Sequence, residues 1–138
     1  MAESPPESEH RKRREISRGM VGLFKEYVGR GPTHAWTHIN DGVVVVLLRD
    51  TLTVAEKTLA EDDRAALVRE VRRGFQGAMR EAACTLIQEQ TGCKVSAFLS
   101  DNSVFPDYAV EVFVLDRPLN DDEDANDVYP LPDGLASG

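Results

Sequence analysis

The sequence predicts a two-layer α+β domain in which helices pack on one face of a four-stranded, mostly antiparallel sheet. Two long segments carry apolar residues at intervals of three and four, which is the period of an amphipathic helix. Two pairs of short strand-like segments are each joined by a polar connection, which is typical of β-hairpins. Because these segments follow one another as α-β-β-α-β-β, packing the helices on one sheet face is the economical arrangement.

Length and charge divide the chain into one domain and two acidic ends. The 138 residues, with a net charge of −8, suffice for one ordinary domain. Residues 1–10 contribute −3 and residues 116–138 contribute −6, so the stretch between them is nearly neutral at +1. The ends have few apolar residues to offset the entropy of ordering. The predicted organisation is a disordered segment at residues 1–12, a single α+β domain at 13–117 and a disordered acidic tail at 118–138.

The first predicted helix covers residues 11–28. Gly29 and Gly31 allow a left-handed cap and a turn, and Pro32 cannot continue a helix, so the helix ends there. Its predicted apolar stripe consists of Ile16, Met20, Leu23, Phe24, Tyr27 and Val28.

The first hairpin is predicted at residues 33–49. A polar, mixed strand at 33–40 leads into Asn40, Asp41 and Gly42, which tolerate the positive φ of tight turns. Residues 43–49 are apolar on both faces, which predicts a central, covered strand.

Two helices are predicted after this hairpin. Thr53 and Glu56 match a capping box and predict a short helix at residues 54–60. A long helix is predicted at residues 62–90, and Gly92 suits its end. Its predicted apolar stripe consists of Leu67, Val71, Phe75, Ala78, Met79, Ala82, Leu86 and Ile87. Acidic residues alternate with its arginines, which predicts a solvated face rather than a nucleic-acid surface. These arginines are Arg64, Arg69, Arg72, Arg73 and Arg80.

The length of this helix predicts a homodimer. The helix spans roughly 43 Å, whereas strands of six to eight residues span only about 20–27 Å. One sheet does not cover such a helix, and a second copy of the chain is the simplest cover, because two-fold pairs are the commonest assemblies.

The second hairpin is predicted from a strand at residues 94–99, a connection at 100–107 and a strand at 108–115. In the last strand, Tyr108 shares one face with alternating valines. Ala109, Glu111, Phe113 and Leu115 share the other face.

Nothing in the sequence directs the chain into a membrane or out of the cell. The longest apolar run, residues 43–48, is far shorter than the ~18 residues of a membrane span, and the N-terminal residues lack the apolar stretch of a signal peptide. Cys84 and Cys93 lack metal-site spacing and partner ligands, which predicts two reduced thiols. We therefore expect a cytoplasmic protein without membrane insertion, metal or cofactor.

A metal site is one interpretation of the closely spaced His34, Trp36 and His38. In a strand, the Cα atoms of the two histidines lie roughly 13 Å apart, which is too far for easy chelation of one ion. An exposed or interface face is the favoured interpretation.

Arg30, Arg49 and Asp50 are predicted to meet at one end of the first hairpin. The arginines could bind an anion there, with glycine backbone close by. The favoured alternative is an ion pair that fixes the loops.

Asp101, Asn102 and Asp107 lie in the predicted connection of the second hairpin. Their oxygens could bind a cation, but three such residues do not make a calcium loop. Asp and Asn also stabilise turns by accepting hydrogen bonds from nearby backbone, which is the favoured interpretation.

The sequence contains no Ser/His/Asp set, phosphate-binding loop or GxGxxG motif, so we do not expect an enzyme.

Several blocks of residues carry a resemblance to a known family. They are residues 16–32, 39–41, 49–53, 55–56, 98–102, 106–107 and 109–115, together with Arg73 and Phe75. Over residues 13–115 the chain resembles the MpsC family, which is named for a sodium-translocating, membrane-potential-generating system. Trp36 and His38 depart from the family's usual residues, and the acidic tail lies outside the match.

The resemblance implies a non-enzymatic, soluble accessory or regulatory interaction module of a membrane ion or inorganic-carbon transport system. Its expected partners are a second copy of the chain and a membrane transport subunit, with no nucleic acid. The alternative is a domain that senses a small anion near Arg30. The resemblance supplies no catalytic residues.

Overall fold

The structure, a computed structural model, describes residues 7–119 and contains three helices and four strands in that range. Residues 7–12 of the predicted disordered N-terminal segment belong to a helix, so that part of the prediction is wrong. The rest of that segment and nearly all of the predicted disordered tail lie outside the described residues. The helices are α1 (Glu7–Tyr27), α2 (Val54–Glu61) and α3 (Ala65–Thr91), and the strands are β1 (His34–Asn40), β2 (Val43–Arg49), β3 (Val95–Ser103) and β4 (Tyr108–Leu115).

The four strands form one antiparallel sheet in the order β1-β2-β4-β3. Each hairpin therefore pairs within itself, and the second strands of the two hairpins, β2 and β4, meet in the centre. The predicted α+β architecture with an antiparallel sheet is confirmed.

The helices cover one face of the sheet. Val44, Val46 and Leu48 of β2 are fully buried in a core that includes Phe24 of α1 and Met79 of α3. Alternate residues of β2 and β4 point to the other side and are only half-buried. β2 is therefore central, as predicted, but in the described part of the chain its second face is left open.

Several element boundaries differ from the predicted ones. α1 begins at Glu7, four residues before the predicted start at residue 11. α3 begins at Ala65 rather than residue 62, because Asp63 has a left-handed backbone with φ 61°. β3 continues through Ser103 into the predicted connection, because residues 101–103 pair with β4.

The capping features at the helix ends are confirmed. Thr53 Oγ1 accepts a hydrogen bond from the Glu56 backbone, and the Glu56 side chain accepts one from the Thr53 backbone. Gly92 caps α3 with φ 72°, a backbone conformation that favours glycine.

The predicted apolar stripe of α3 is wrong in its N-terminal half. Leu67 and Val71 are each 40% exposed, whereas Val68, Arg72 and Gln76 are buried. Arg72 is also not part of a solvated face. The helix is rotated relative to the prediction because its first half packs on α2 and a buried carboxylate rather than on the sheet alone.

A second apolar cluster covers this half of α3. Leu52, Ala60, Val68 and Val104 form it beside the main core. α2 therefore covers the N-terminal half of α3, which the sheet does not reach. The length of α3 is thus no longer an argument for a second copy of the chain. The homodimer remains a proposal.

Candidate functional site

All six residues predicted to bind a ligand or partner lie at one end of the sheet. The strand register pairs His34 with Arg49, Arg49 with Tyr108, and Ser103 with Tyr108, so four strand ends meet there. Arg30 precedes β1, Asp50 follows β2, and Asp107 precedes β4. Asp101 and Asn102 lie near the end of β3.

Asp107 joins the two hairpins at this end. Its Oδ1 accepts hydrogen bonds from the backbone N–H and the hydroxyl of Thr51, both at 3.0 Å. Its Oδ2 accepts one from the Leu52 N–H at 3.0 Å, and its carbonyl accepts one from the Asp50 N–H at 3.2 Å. The carboxylate therefore fixes the segment that leads from β2 into α2.

Asp50 stabilises the neighbouring loop. The Thr33 hydroxyl donates a hydrogen bond to its carboxylate, and Arg49 Nε lies 3.8 Å from it. The Thr33 hydrogen bond is the main reason that the pKa of Asp50 is lowered, and the positive charges of Arg49, Lys57 and Arg30 add to this effect. Arg30 therefore affects Asp50 only through its charge. The side chain that forms a hydrogen bond with the Asp50 carboxylate is Thr33.

Asp101 and Asn102 belong to a strand, not to the predicted loop. Asp101 Oδ1 accepts a hydrogen bond from the Asn102 backbone at 2.8 Å. A depression of about 230 Å³ lies beside them on the sheet. Asp101 and Asn102 therefore pair with β4 as part of a strand and do not form the predicted turn.

We expect Asp107→Ala to lower the free energy of unfolding by roughly 2–4 kcal/mol, because three donors at the β2–α2 segment lose a charged acceptor. Urea denaturation monitored by circular dichroism measures the change. Asp101→Ala is the matched control, because Asp101 is exposed, and it should cost less than about 1 kcal/mol. Equal stability of the two variants would show that the Asp107 contacts are dispensable.

An aromatic and cationic cluster lies at the edge of the open sheet face. The rings of His34 and Trp36 stack with centroids 5.5 Å apart and planes 13° apart. The Arg49 guanidinium lies 5.7 Å from the Trp36 ring centroid, and its Nη2 lies 2.7 Å from His34 Nδ1. Within residues 7–119 no group of three or more metal-ligating side chains occurs. His34 and Trp36 are exposed on this face.

The open sheet face continues this cluster with apolar side chains. Val43, Val45 and Leu47 of β2 and Val110, Val112 and Val114 of β4 cover its centre, half-buried. Trp36 is 38% exposed at one edge and Leu99 is 56% exposed at the other. Surfaces of this kind mark sites of protein interaction more often than chance.

A buried charged cluster lies on the opposite, helix-covered side. Arg72 is 1% exposed. Its Nε donates to Glu56 Oε2 at 2.7 Å, and its Nη2 donates to Glu56 Oε1 at 2.8 Å and to the Thr51 carbonyl. Because Glu56 also caps α2, one carboxylate holds α2, α3 and the β2–α2 segment together.

Glu111 lies in the same buried layer. It is 0% exposed, and neither of its carboxylate oxygens has a hydrogen-bond partner among the described residues. Burial raises its pKa to about 7, and the nearby Ser100 hydroxyl and Arg72 charge oppose this rise.

Sequence reasoning missed this layer, although two signals pointed to it. Glu111 alternates with Ala109 and Phe113 on an apolar strand face. Arg72 falls four residues after Val68 and seven before Met79, which is the spacing of one helix face.

The comparisons with known proteins give one match. A family model described as "Na+-translocating membrane potential-generating system (MpsC)" matches residues 8–117. No curated protein and no solved structure matches the chain. Across the part of the chain that the structure describes, no helix is long and apolar enough to cross a membrane.

Proposed function

The chain belongs to the MpsC family, and we propose that it serves a Na⁺-translocating, membrane-potential-generating system as a non-enzymatic accessory or regulatory module. The family model associates the chain with such a system. The accessory role, the cytoplasmic location and a protein partner in the membrane are the parts that we propose.

The open sheet face is the observation that carries this proposal. Four strands of seven to nine residues present roughly 400–500 Å² of flat area at the usual strand spacing and rise. This footprint also includes polar side chains such as His38 and Asp101, and its centre is formed by the apolar side chains of β2 and β4. Contiguous apolar surface of a few hundred Å² is often functional. We infer that a polypeptide segment of the membrane partner packs on this face.

The alternative function, sensing of a small anion near Arg30, has less support. The carboxylates of Asp50 and Asp107 lie at the same sheet end and favour cations over anions. Arg49 is already engaged with His34, Trp36 and Asp50. The polar contacts at this end therefore support a loop-fixing role.

Affinity isolation from the native host under gentle detergent tests the proposal. The wild-type chain should co-isolate an integral membrane protein that mass spectrometry identifies as an ion-transport subunit. Leu99→Lys should lose this protein, because the substitution places a charge on the open face at a position already 56% exposed, where folding tolerates it.

Leu67→Lys is the matched control. Leu67 is 40% exposed on α3, away from the open face, so this variant should retain the partner. Loss of the partner from both variants, or from neither, would remove the support for the open face as the contact surface.

A further inference from the structure

One side of α1 carries a line of basic residues. Arg11, Arg14, Arg18 and Lys25 follow one another at intervals of three, four and seven residues, which places them on the same side of a helix. All four residues are exposed. At a rise of 1.5 Å per residue, the line is roughly 21 Å long. We call these four residues the basic stripe.

The apolar side of the same helix is fixed in the core. Ile16, Met20 and Phe24 are each at most 1% exposed, and they belong to the main apolar cluster. Rotation of α1 about its axis would expose these three side chains to water, which is unfavourable. The basic stripe therefore has a fixed orientation, away from the core and towards solvent.

The positive charge of the basic stripe is largely uncompensated. Arg18 Nη1 lies 3.8 Å from Glu15, but both side chains are exposed, so this pair contributes little. The other three residues of the stripe form no ion pair among the described residues. Residues 10–25 contain six Lys or Arg residues and one acidic residue. This side of the helix therefore favours an extended anionic partner.

An exposed tryptophan adjoins the basic stripe. Trp36 is 38% exposed, and together with Arg14 and Arg18 it lines a depression of about 410 Å³ at α1 and β1. Tryptophan is enriched at membrane–water interfaces, where its amphipathic ring sits at the level of the headgroups. Clusters of four or more Lys or Arg residues attract anionic lipids. The two features together fit the surface of an anionic membrane.

We propose that the basic stripe docks on the anionic phospholipid headgroups of a membrane surface, with Trp36 at the level of the headgroups. The family match to a membrane system favours lipid over nucleic acid, the other extended polyanion. The whole chain has a net charge of −8. Charges farther away than the Debye length, about 8 Å at physiological ionic strength, are largely screened, so the local charge decides.

This proposal rests on the proposed service to a membrane system, but it does not rest on the open sheet face. Docking through headgroups involves no insertion of α1, because the apolar side of the helix stays in the core. It holds the chain at the membrane surface, where the proposed protein partner lies.

Co-sedimentation of the full chain with lipid vesicles tests the proposal. Vesicles of phosphatidylcholine alone are compared with vesicles in which phosphatidylglycerol replaces a third of this lipid. At low salt the chain should sediment only with the anionic vesicles, and ~1 M salt, where the Debye length is about 3 Å, should release it. Arg14→Gln/Arg18→Gln should lower the partition coefficient roughly 25-fold, because each Lys or Arg near an anionic surface contributes about fivefold.

Arg69→Gln/Arg73→Gln is the matched control, because it removes two exposed arginines of α3 with the same change in net charge. This variant should sediment like the wild type. Equal losses in the two variants, or no sedimentation of the wild type with anionic vesicles, would overturn the proposal. Binding of a single-stranded DNA oligonucleotide without sedimentation would overturn it in favour of nucleic acid. Since the vesicles contain no protein partner, such results leave the open sheet face as a contact surface unaffected.

Discussion

Arg72→Ala is expected to lower the free energy of unfolding by roughly 3–5 kcal/mol, which is the cost of leaving a buried charge without its partner. The substitution removes both hydrogen bonds to Glu56 and the one to the Thr51 carbonyl. Since domains are stable by only about 5–15 kcal/mol, this loss is a large fraction of the total stability. Denaturant titration followed by circular dichroism measures the loss.

Arg73→Ala is the matched control, because Arg73 is the next residue on the same helix and is exposed. It should change stability by no more than about 0.5 kcal/mol. The double variant Glu56→Gln/Arg72→Met should cost less than the two single variants added together, because neither buried charge then remains unpaired. Additive losses would contradict a direct buried pair.

Glu111→Gln is expected to remove a pH dependence of stability near neutral pH. Burial raises the folded-state pKa of Glu111 from 4.5 to about 7. A raised carboxyl pKa means that the folded state holds the proton more tightly than the unfolded state. The wild type should therefore lose stability as pH rises from about 4.5 to 7, by roughly 3 kcal/mol in total.

The difference between the two proteins isolates this contribution. Unfolding free energies are measured from pH 5 to 8 for the wild type and for Glu111→Gln, so that other titrating groups cancel. The variant should gain relative to the wild type with rising pH and be the more stable protein at pH 8. A constant difference across this range would show that Glu111 does not titrate there.

Local sequence signals predicted most of the fold. The turn at Asp41 and Gly42, the capping box of Thr53 and Glu56, and the cap at Gly92 each fix a chain direction through a few adjacent residues. Hydrophobic periodicity predicted the helices and strands. The order of these elements along the chain favoured a two-layer packing of helices on a sheet. β2 and β4 match the predicted bounds for the same reason.

The rotation of α3 could not be predicted from its periodicity. Leu67 and Val71 continue the apolar spacing but are exposed, because Arg72 takes the buried position in order to pair with Glu56 from another helix. Such a pair joins residues 16 positions apart in sequence, and no local pattern records it. The same holds for Asp107, whose donors Thr51 and Leu52 are more than 50 residues away.

The open sheet face was only partly foreseeable. The valines of β2 predicted burial on both sides, and the structure covers one side. A continuous apolar run in a central strand has the same form whether a helix or a partner protein covers the second face. The sequence therefore identifies the apolar surface but not its occupant.

The Na⁺-dependent membrane potential of the native host is the measurement that tests the proposed function most directly. A strain that lacks the chain is complemented with the wild type, Leu99→Lys or Leu67→Lys, and the potential is followed with a voltage-sensitive dye as external Na⁺ is varied. The wild type and Leu67→Lys should restore the Na⁺ dependence, and Leu99→Lys should not. An unchanged potential in the strain without the chain, or full restoration by Leu99→Lys, would contradict the account.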